Sequence, residues 1–378
     1  MLRDSIIKIP LLLAICAATQ APPIFTQPKQ KIAEIDVAKC WSYPLADEAA
    51  AELASDAGHV YAGSAGAKIE TLSLDGKKMW ATELGGEIRS NLLATDNGLY
   101  LVTATVSQPQ KADENVLHGL SKETGITNWT AKLPPASQHF IGTFKDTLIV
   151  VSATGVVQAI DARSGTTRWK REIADGFTSK PAFSDNKVYI ASTAKQLFEI
   201  SLLSGEIESM RKLPNAITAI GKTPGGALIV GDDHGNLFSF GDSGANPSWS
   251  YKSGGEISAI FTVDDHLLVT SHDNFVYFLV SRNGGMAWKK RLSGRISQIA
   301  TYLDRYALMS SFEDHGAVFA DLSTGKTAGQ IAFAANEDLR YNPVISNGLI
   351  IILTSEAVSA FRPGGCTDKK ETALAAGG

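Results

Sequence analysis

Three short stretches carry the residue types that hold metals or polar ligands: Asp232-Asp233-His234-Gly235, His272-Asp273-Asn274 and Glu313-Asp314-His315-Gly316. Imidazole and carboxylate together can ligate a divalent metal, which makes Asp232, His234, His272, Asp273, Asp314 and His315 candidates for a shared patch. The same residues are ordinary turn formers, because Asp, Asn and Gly satisfy or relax the backbone in tight turns, and the stretches share no fixed ligand spacing. Both readings stand at this level. Arg89 and Arg340 follow Glu87-Ile88 and Asp338-Leu339 at matching places and can attract an anionic group, or pair with the acids beside them. Gly241-Asp242-Ser243-Gly244 imitates a serine-protease nucleophile signature, but no accompanying His and Asp motif is present. No His-Glu-x-x-His, phosphate-binding Walker loop or Gly-x-Gly-x-x-Gly is found either. No catalytic, cofactor-binding or metal residue is therefore assigned.

What must position these residues is a repeat. Trp41, Trp80, Trp129, Trp169, Trp249 and Trp288 are separated by 39, 49, 40, 80 and 39 positions. The double gap has its missing member near Ser209, and a further beat falls near Gly329. A glycine stands four residues before most beats: Gly76, Gly125, Gly165, Gly205, Gly284 and Gly325. A period near forty with strand-like sequence between the beats is the mark of a β-propeller.

The clearest unit runs from Asp146 to Ile173. Strands are expected at 147–152 (TLIVVS), 156–161 (VVQAID) and 166–173 (TTRWKREI), with turns at 153–155 and 162–165 and an innermost strand around 140–144. The turn glycine supplies positive φ without steric cost. Trp169, on the outermost strand, can pack against the neighbouring blade, and the other five tryptophans are read as blade-docking residues in the same way. A buried indole covers about 150–250 Å², roughly 4–6 kcal/mol gross.

The run from Ala159 to Trp169 (AIDARSGTTRW) resembles the Ala-x-Asp-x-x-Thr-Gly-x-x-x-Trp docking motif of the pyrroloquinoline quinone (PQQ)-like propeller repeat, and 119–129, 71–80 and 319–329 carry weaker copies. The resemblance covers Trp41 to Phe361, and the Gly-His and Trp-Asp signatures of WD40 repeats are absent. It implies an all-β, eight-bladed propeller of four-stranded antiparallel blades. Seven blades are continuous, ending near residues 84, 133, 173, 213, 252, 292 and 333. The eighth takes three strands from 339–362 and its fourth from the segment around Cys40-Trp41-Ser42-Tyr43, so the two chain ends close the ring.

Aligned on the third blade, Cys366 falls at the position of Gly165 and Cys40 at that of Arg168, on either side of the one outer hairpin without a covalent turn. A Cys40–Cys366 disulfide is the expectation, with a loop-entropy ceiling of roughly 5–6 kcal/mol. Residues 105–115 (TVSQPQKADEN) lengthen the second blade, and this polar loop, with Gln108 and Lys111, is a candidate partner contact or a tolerated insertion.

Residues 1–18 read as an export signal: Arg3 and Lys8 flank a short polar start, and 9–18 (IPLLLAICAA) is apolar but too short to span a bilayer. Cys16 lies near a lipoprotein-type signal, but Ile15 is bulky where a small residue belongs. A periplasmic or secreted protein is expected, an outer-membrane lipid anchor being the alternative. Residues 19–36 read as a flexible lead-in, 37–366 as the propeller and 367–378 as a disordered tail. The formal net charge of -4 over 378 residues gives no basic excess for nucleic acid, and no later segment is apolar and long enough to span a membrane.

The PQQ-like family contains dehydrogenases that use PQQ and Ca²⁺, and non-enzymatic members that include a propeller lipoprotein of the bacterial outer-membrane β-barrel assembly machinery. No vicinal cysteine pair of the kind some of the dehydrogenases use is present. The resemblance therefore implies a monomeric, non-catalytic scaffold for protein partners in the cell envelope. A PQQ-dependent quinoprotein dehydrogenase and a ligand- or carbohydrate-sensing propeller are the alternatives.

Overall fold

The computed structural model describes residues 35–45, 52–105, 114–173, 176–184, 186–241, 246–334, 337, 339 and 341–366. The expected export signal, most of the lead-in, the 367–378 tail, Gln108, Lys111 and Arg340 lie outside the described residues.

Eight antiparallel sheets follow one another along the chain, one per expected blade. Blade 3 is representative: His139–Phe144, Thr147–Ser152, Val156–Asp161 and Thr167–Glu172 pair in that order from inside to outside. Its two middle strands are buried at almost every position because sheets cover both their faces, which is why they read as near-continuous apolar runs. The outer strand is exposed at every position except Trp169, so its sequence is otherwise polar. In blade 2 the inner strand is broken into Glu87–Ile88 and Leu93–Thr95, both pairing with Gly98–Thr105. The next strand, Glu114–Leu120, begins where the expected polar loop ends.

The chain ends close the ring as the repeat count requires. Val37–Pro44 forms the outer strand of blade 8, beside Ala357–Pro363, Leu349–Leu353 and Val344–Ser346. Cys40 and Cys366 are joined as a disulfide with Cα atoms 5.2 Å apart. Cys40 is the extra residue of a bulge between Lys39 and Trp41, the position Arg168 takes in the bulge before Trp169.

The core is divided among the junctions. Eight apolar clusters each span two neighbouring blades, so no blade buries its faces alone. At six junctions the cluster is completed by a tryptophan. Trp41, Trp80, Trp129, Trp169, Trp249 and Trp288 lie over Gly76, Gly125, Gly165, Gly205, Gly284 and Gly325 of the next blade. Each indole N–H donates to a carbonyl of that blade: those of Leu74, Lys122, Ala162, Leu202, Ser281 and Leu322, at 2.6 to 3.3 Å. The glycine thus does more than permit a turn. At Gly205 φ is +72°, and a Cβ would fall 2.5 Å from the Trp169 ring. A side chain there meets both backbone strain and a filled space.

Candidate functional site

In each blade the second-to-third-strand turn and the connector to the next blade share one end. The three His and Asp stretches sit there, 41 residues apart, and each aspartate ties its turn to the connector entering the same blade. Asp232 accepts hydrogen bonds from the backbone N–H groups of His234 (3.0 Å) and Asn236 (2.8 Å) and from Asn215 Nδ2 (2.9 Å). Asp273 accepts from Gly254 N (2.8 Å), Phe275 N (3.1 Å) and Tyr277 Oη (2.5 Å). Asp314 accepts from Ser311 Oγ (2.6 Å) and from Ser293 Oγ. These carboxylates spend their lone pairs on the fold. The histidines point elsewhere: His234 pairs with Asp233 (2.7 Å), His272 with Glu256 (3.4 Å), and His315 is exposed. Among the described residues no group of three His, Cys, Asp or Glu is placed to hold a metal ion. The three stretches therefore do not converge, since each belongs to its own turn.

Arg89 is held by Glu87 at 2.6 Å and reaches the Ser137 carbonyl at 3.4 Å. Its own carbonyl accepts the His139 N–H, so this connector stitches blade 2 to blade 3. The seam continues inward through buried His139, bonded to Asn115 Nδ2 (2.8 Å) and Ser152 Oγ (2.9 Å). Burial lowers the pKa of His139 to about 4, and does the same for His118, whose ring contacts Thr103 Oγ1 at 2.9 Å. Nothing in the sequence distinguished these two histidines from the exposed ones except their place in alternating strands.

A cavity of about 390 Å³ lies among the inner strands, with Lys180, Thr218, Ser258, Gln298 and Asn342 on its wall. Glu52, on the inner strand of blade 1, is pushed up to about 7 by burial, with Lys180 pulling the opposite way. The lining is mostly hydroxyl, amide and apolar, and its described part brings no cluster of carboxylates together. A smaller cavity, about 260 Å³, reaches Asp314, exposed Phe312 and Tyr341 at the connector end.

A cleft of about 660 Å³ lies on the other end, between blades 4 and 5. It lies where the repeat lacks its tryptophan. Ser209 pairs with Glu199 as Trp169 pairs with Ala159, so Ser209 stands in the docking position. Its hydroxyl donates to Glu199 Oε2 at 3.1 Å instead of reaching the next blade. Tyr189 and Phe240 line the cleft, with Lys222 5.2 Å from the Tyr189 ring centre and Arg211 4.0 Å from that of Phe240. Lys187, paired with Glu199 and with Glu208 (2.9 Å), completes the charged wall. The irregular beat in the tryptophan period was the signal for this cleft, but the period alone did not show whether another group fills the gap.

The sequence matches the family described as "Outer membrane protein assembly factor BamB" over residues 29–150, 112–208 and 208–371. The chain belongs to the BamB family. Its fold is similar to the crystal structure of BamB from Moraxella catarrhalis, at 16% identity and a TM-score of 0.67, covering 88% of this chain and 99% of that one. It is also similar to the computationally designed Ika8 protein (14% identity, TM-score 0.72, 86% and 99% covered). The C-terminal WD40 domain of Sif2 shows the same likeness (13% identity, TM-score 0.71, 89% and 100% covered). At 14% and 13% identity these last two likenesses show the fold alone. No curated protein matches the sequence.

Proposed function

We propose that this chain is an exported, non-catalytic propeller scaffold that binds protein partners in the cell envelope and serves outer-membrane protein assembly. The observation that carries the reading is the BamB family match, which runs over residues 29–371 and so takes in every blade. The Cys40–Cys366 bond supports an oxidising compartment, because thiols in the cytosol are kept reduced. Among the described residues no helix is long and apolar enough to cross a membrane. The His and Asp stretches support no chemistry of their own, since their aspartates are committed to turns.

Crosslinking and affinity capture from envelope membranes test this reading, with a variant lacking residues 106–113 as control. Recovery of outer-membrane assembly proteins with the wild-type chain is the expected outcome, and their absence overturns the proposal. No cofactor is proposed. Incubation with PQQ and Ca²⁺ should yield no dye-linked oxidation of alcohols or sugars, and turnover above background would replace the scaffold reading with the quinoprotein one.

A further inference from the structure

We propose that the outer edge of blade 6 docks an extended acidic segment of a protein partner, Lys289 and Arg291 taking two carboxylates set two residues apart. This names the chemistry of a partner for the scaffold reading and rests on it.

The charge is concentrated in the sequence before the fold places it. The chain as a whole has more acids than bases, 39 against 35. Between Asp273 and Asp304, however, there is no acid, and there are five bases: Arg282, Lys289, Lys290, Arg291 and Arg295. Three of them fall on Met286–Arg291, the outer strand of blade 6. This strand lies within residues 246–334, which are described without a break. Strand alternation separates the three. Lys290 turns toward blade 7 and donates to the Thr327 hydroxyl at 2.8 Å. Lys289 and Arg291 share the other face and are exposed. On the outer strands of blades 1, 2 and 3 such a cation is answered by a carboxylate: Lys78 by Glu70 (2.8 Å), Lys132 by Glu114 and Lys170 by Glu172 (2.8 Å). Among the described residues Lys289 and Arg291 have no carboxylate partner, and both lie instead over an aromatic ring.

That ring is Phe275, opposite Arg291 in the sheet, with Tyr277 opposite Lys289. Lys289 Nζ lies 4.8 Å from the ring centre and the Arg291 guanidinium carbon 6.0 Å from it. Tyr277 follows 5.9 Å from Phe275, and Tyr251 of blade 5 meets Tyr277 edge-on at 5.6 Å, so the aromatic floor continues to the next blade. Stacking positions the cations without neutralising them. The carboxylates of the adjoining turn and connector are committed, Asp273 to the Tyr277 hydroxyl and the Gly254 N–H, and Glu256 to His272. The strand is also the last of its sheet, and an edge strand presents unpaired backbone groups. An extended segment laid along it repeats the spacing of Lys289 and Arg291, because residues i and i+2 share one face. Opposite charges directly across two strands attract. Charge and spacing together therefore select a peptide with carboxylates at alternate positions.

The test uses the full exported chain and two synthetic peptides of one composition, N-acetyl-Thr-Glu-Val-Glu-Val-Thr-amide and N-acetyl-Thr-Val-Glu-Glu-Val-Thr-amide, titrated by NMR. The alternating peptide should bind at least about fivefold more tightly than the one with adjacent acids. Lys289→Glu with Arg291→Glu should weaken its binding by about tenfold or more. The neutral pair Lys289→Gln and Arg291→Gln adds no like charge to the sheet and should weaken it by about threefold or more with the melting temperature unchanged. Lys77→Glu with Lys132→Glu makes the same change in net charge on other blades and should leave the affinity within about twofold. Equal binding of the two peptides, an equal loss in that control, or no loss in either pair of variants at Lys289 and Arg291 overturns the proposal. So does self-association of the neutral pair with peptide affinity unchanged, which would make the cations guards of the edge. Binding to phosphatidylglycerol vesicles that depends on Lys289 and Arg291, with no preference between the peptides, assigns the edge to a lipid surface and also overturns it. Capture from envelope membranes separates this inference from the scaffold reading. Assembly proteins retained by Lys289→Glu with Arg291→Glu keep the scaffold and remove the acidic docking edge. Selective binding of the alternating peptide with no assembly protein captured keeps the edge and removes the scaffold.

Discussion

Two junctions of this ring lack a tryptophan, and they have opposite fates. Between blades 7 and 8 the beat falls on Gly329, and Ile35 lies against it, its N–H donating to the Ala328 carbonyl at 2.6 Å. Ile35 and Val37 join the apolar cluster there, so the end of the segment read as a flexible lead-in is packed against the ring. On the receiving side, the position of Gly165 is taken by Cys366, which closes onto Cys40. Between blades 4 and 5 the beat falls on Ser209, and no segment among the described residues covers the gap. The pairing rule is the same in both cases. Where the indole is present the receiver is glycine; in the sequence the corresponding places beside the two missing indoles are Cys366 and Ala245, the latter outside the described residues. A missing tryptophan therefore does not weaken the ring by itself. It frees a junction to be closed by another part of the chain, as Ile35 does between blades 7 and 8.

The widest separation between filled and open junctions should come from truncation. Trp169→Ala removes an indole seated on Gly205 and should cost about 3–5 kcal/mol in chemical denaturation. Ser209→Ala should change stability by less than about 0.5 kcal/mol. Similar losses for the two would mean that Ser209 carries a contact equivalent to an indole. The clasp at blade 8 comes next. The Cys40→Ser, Cys366→Ser double variant should lose about 2–4 kcal/mol, and the native chain should resist alkylation until it is reduced.

A third contrast concerns the polar seam between blades 2 and 3. His139 has its pKa depressed to about 4 by burial, so below its unfolded value near 6.5 the unfolded chain binds the extra proton. Its contribution is present above that value and is lost as pH falls toward 4, and His118 acts in the same sense. Glu52 works oppositely. Its pKa is raised to about 7, so the folded state takes up the proton first and stability is lost as pH rises from about 4.5 through 7. Denaturation at pH 5 and pH 7 should show His139→Gln flattening the acid-side loss, and Glu52→Gln raising stability at pH 7, each by about 1–3 kcal/mol. Unchanged pH profiles would show that neither burial persists in solution. The smallest effects compare the two tryptophan-free junctions directly. Ile35→Ala should lose about 1 kcal/mol, and Ser209→Trp should gain about 1 kcal/mol, in thermal denaturation.

The ring was legible because its determinants are local and repeated. An apolar run such as 147–152, a turn glycine and a tryptophan ten residues after its pairing partner recur often enough to count blades and to pair Cys40 with Cys366. The His and Asp stretches were legible only as an ambiguity, since Asp232 has the same identity whether it ligates a metal or accepts from Asn215 and Asn236. The hydrogen-bond partners that decide between those uses come from other turns and connectors. The cleft was visible as an interruption of the period at Ser209, but the side chains that line it were not.

The sequence by itself determined the number of blades, the strand that closes the ring, the clasp and the positions where docking fails. All of these follow from short-range pattern repeated at one interval. Tertiary structure alone decided that each glycine serves the tryptophan of the preceding blade rather than the one four residues after it. It likewise decided that Ile35 covers one gap while no described residue covers the other. Those outcomes depend on which surfaces meet across a junction, and residues some 35 to nearly 300 positions apart meet there only once the ring has closed.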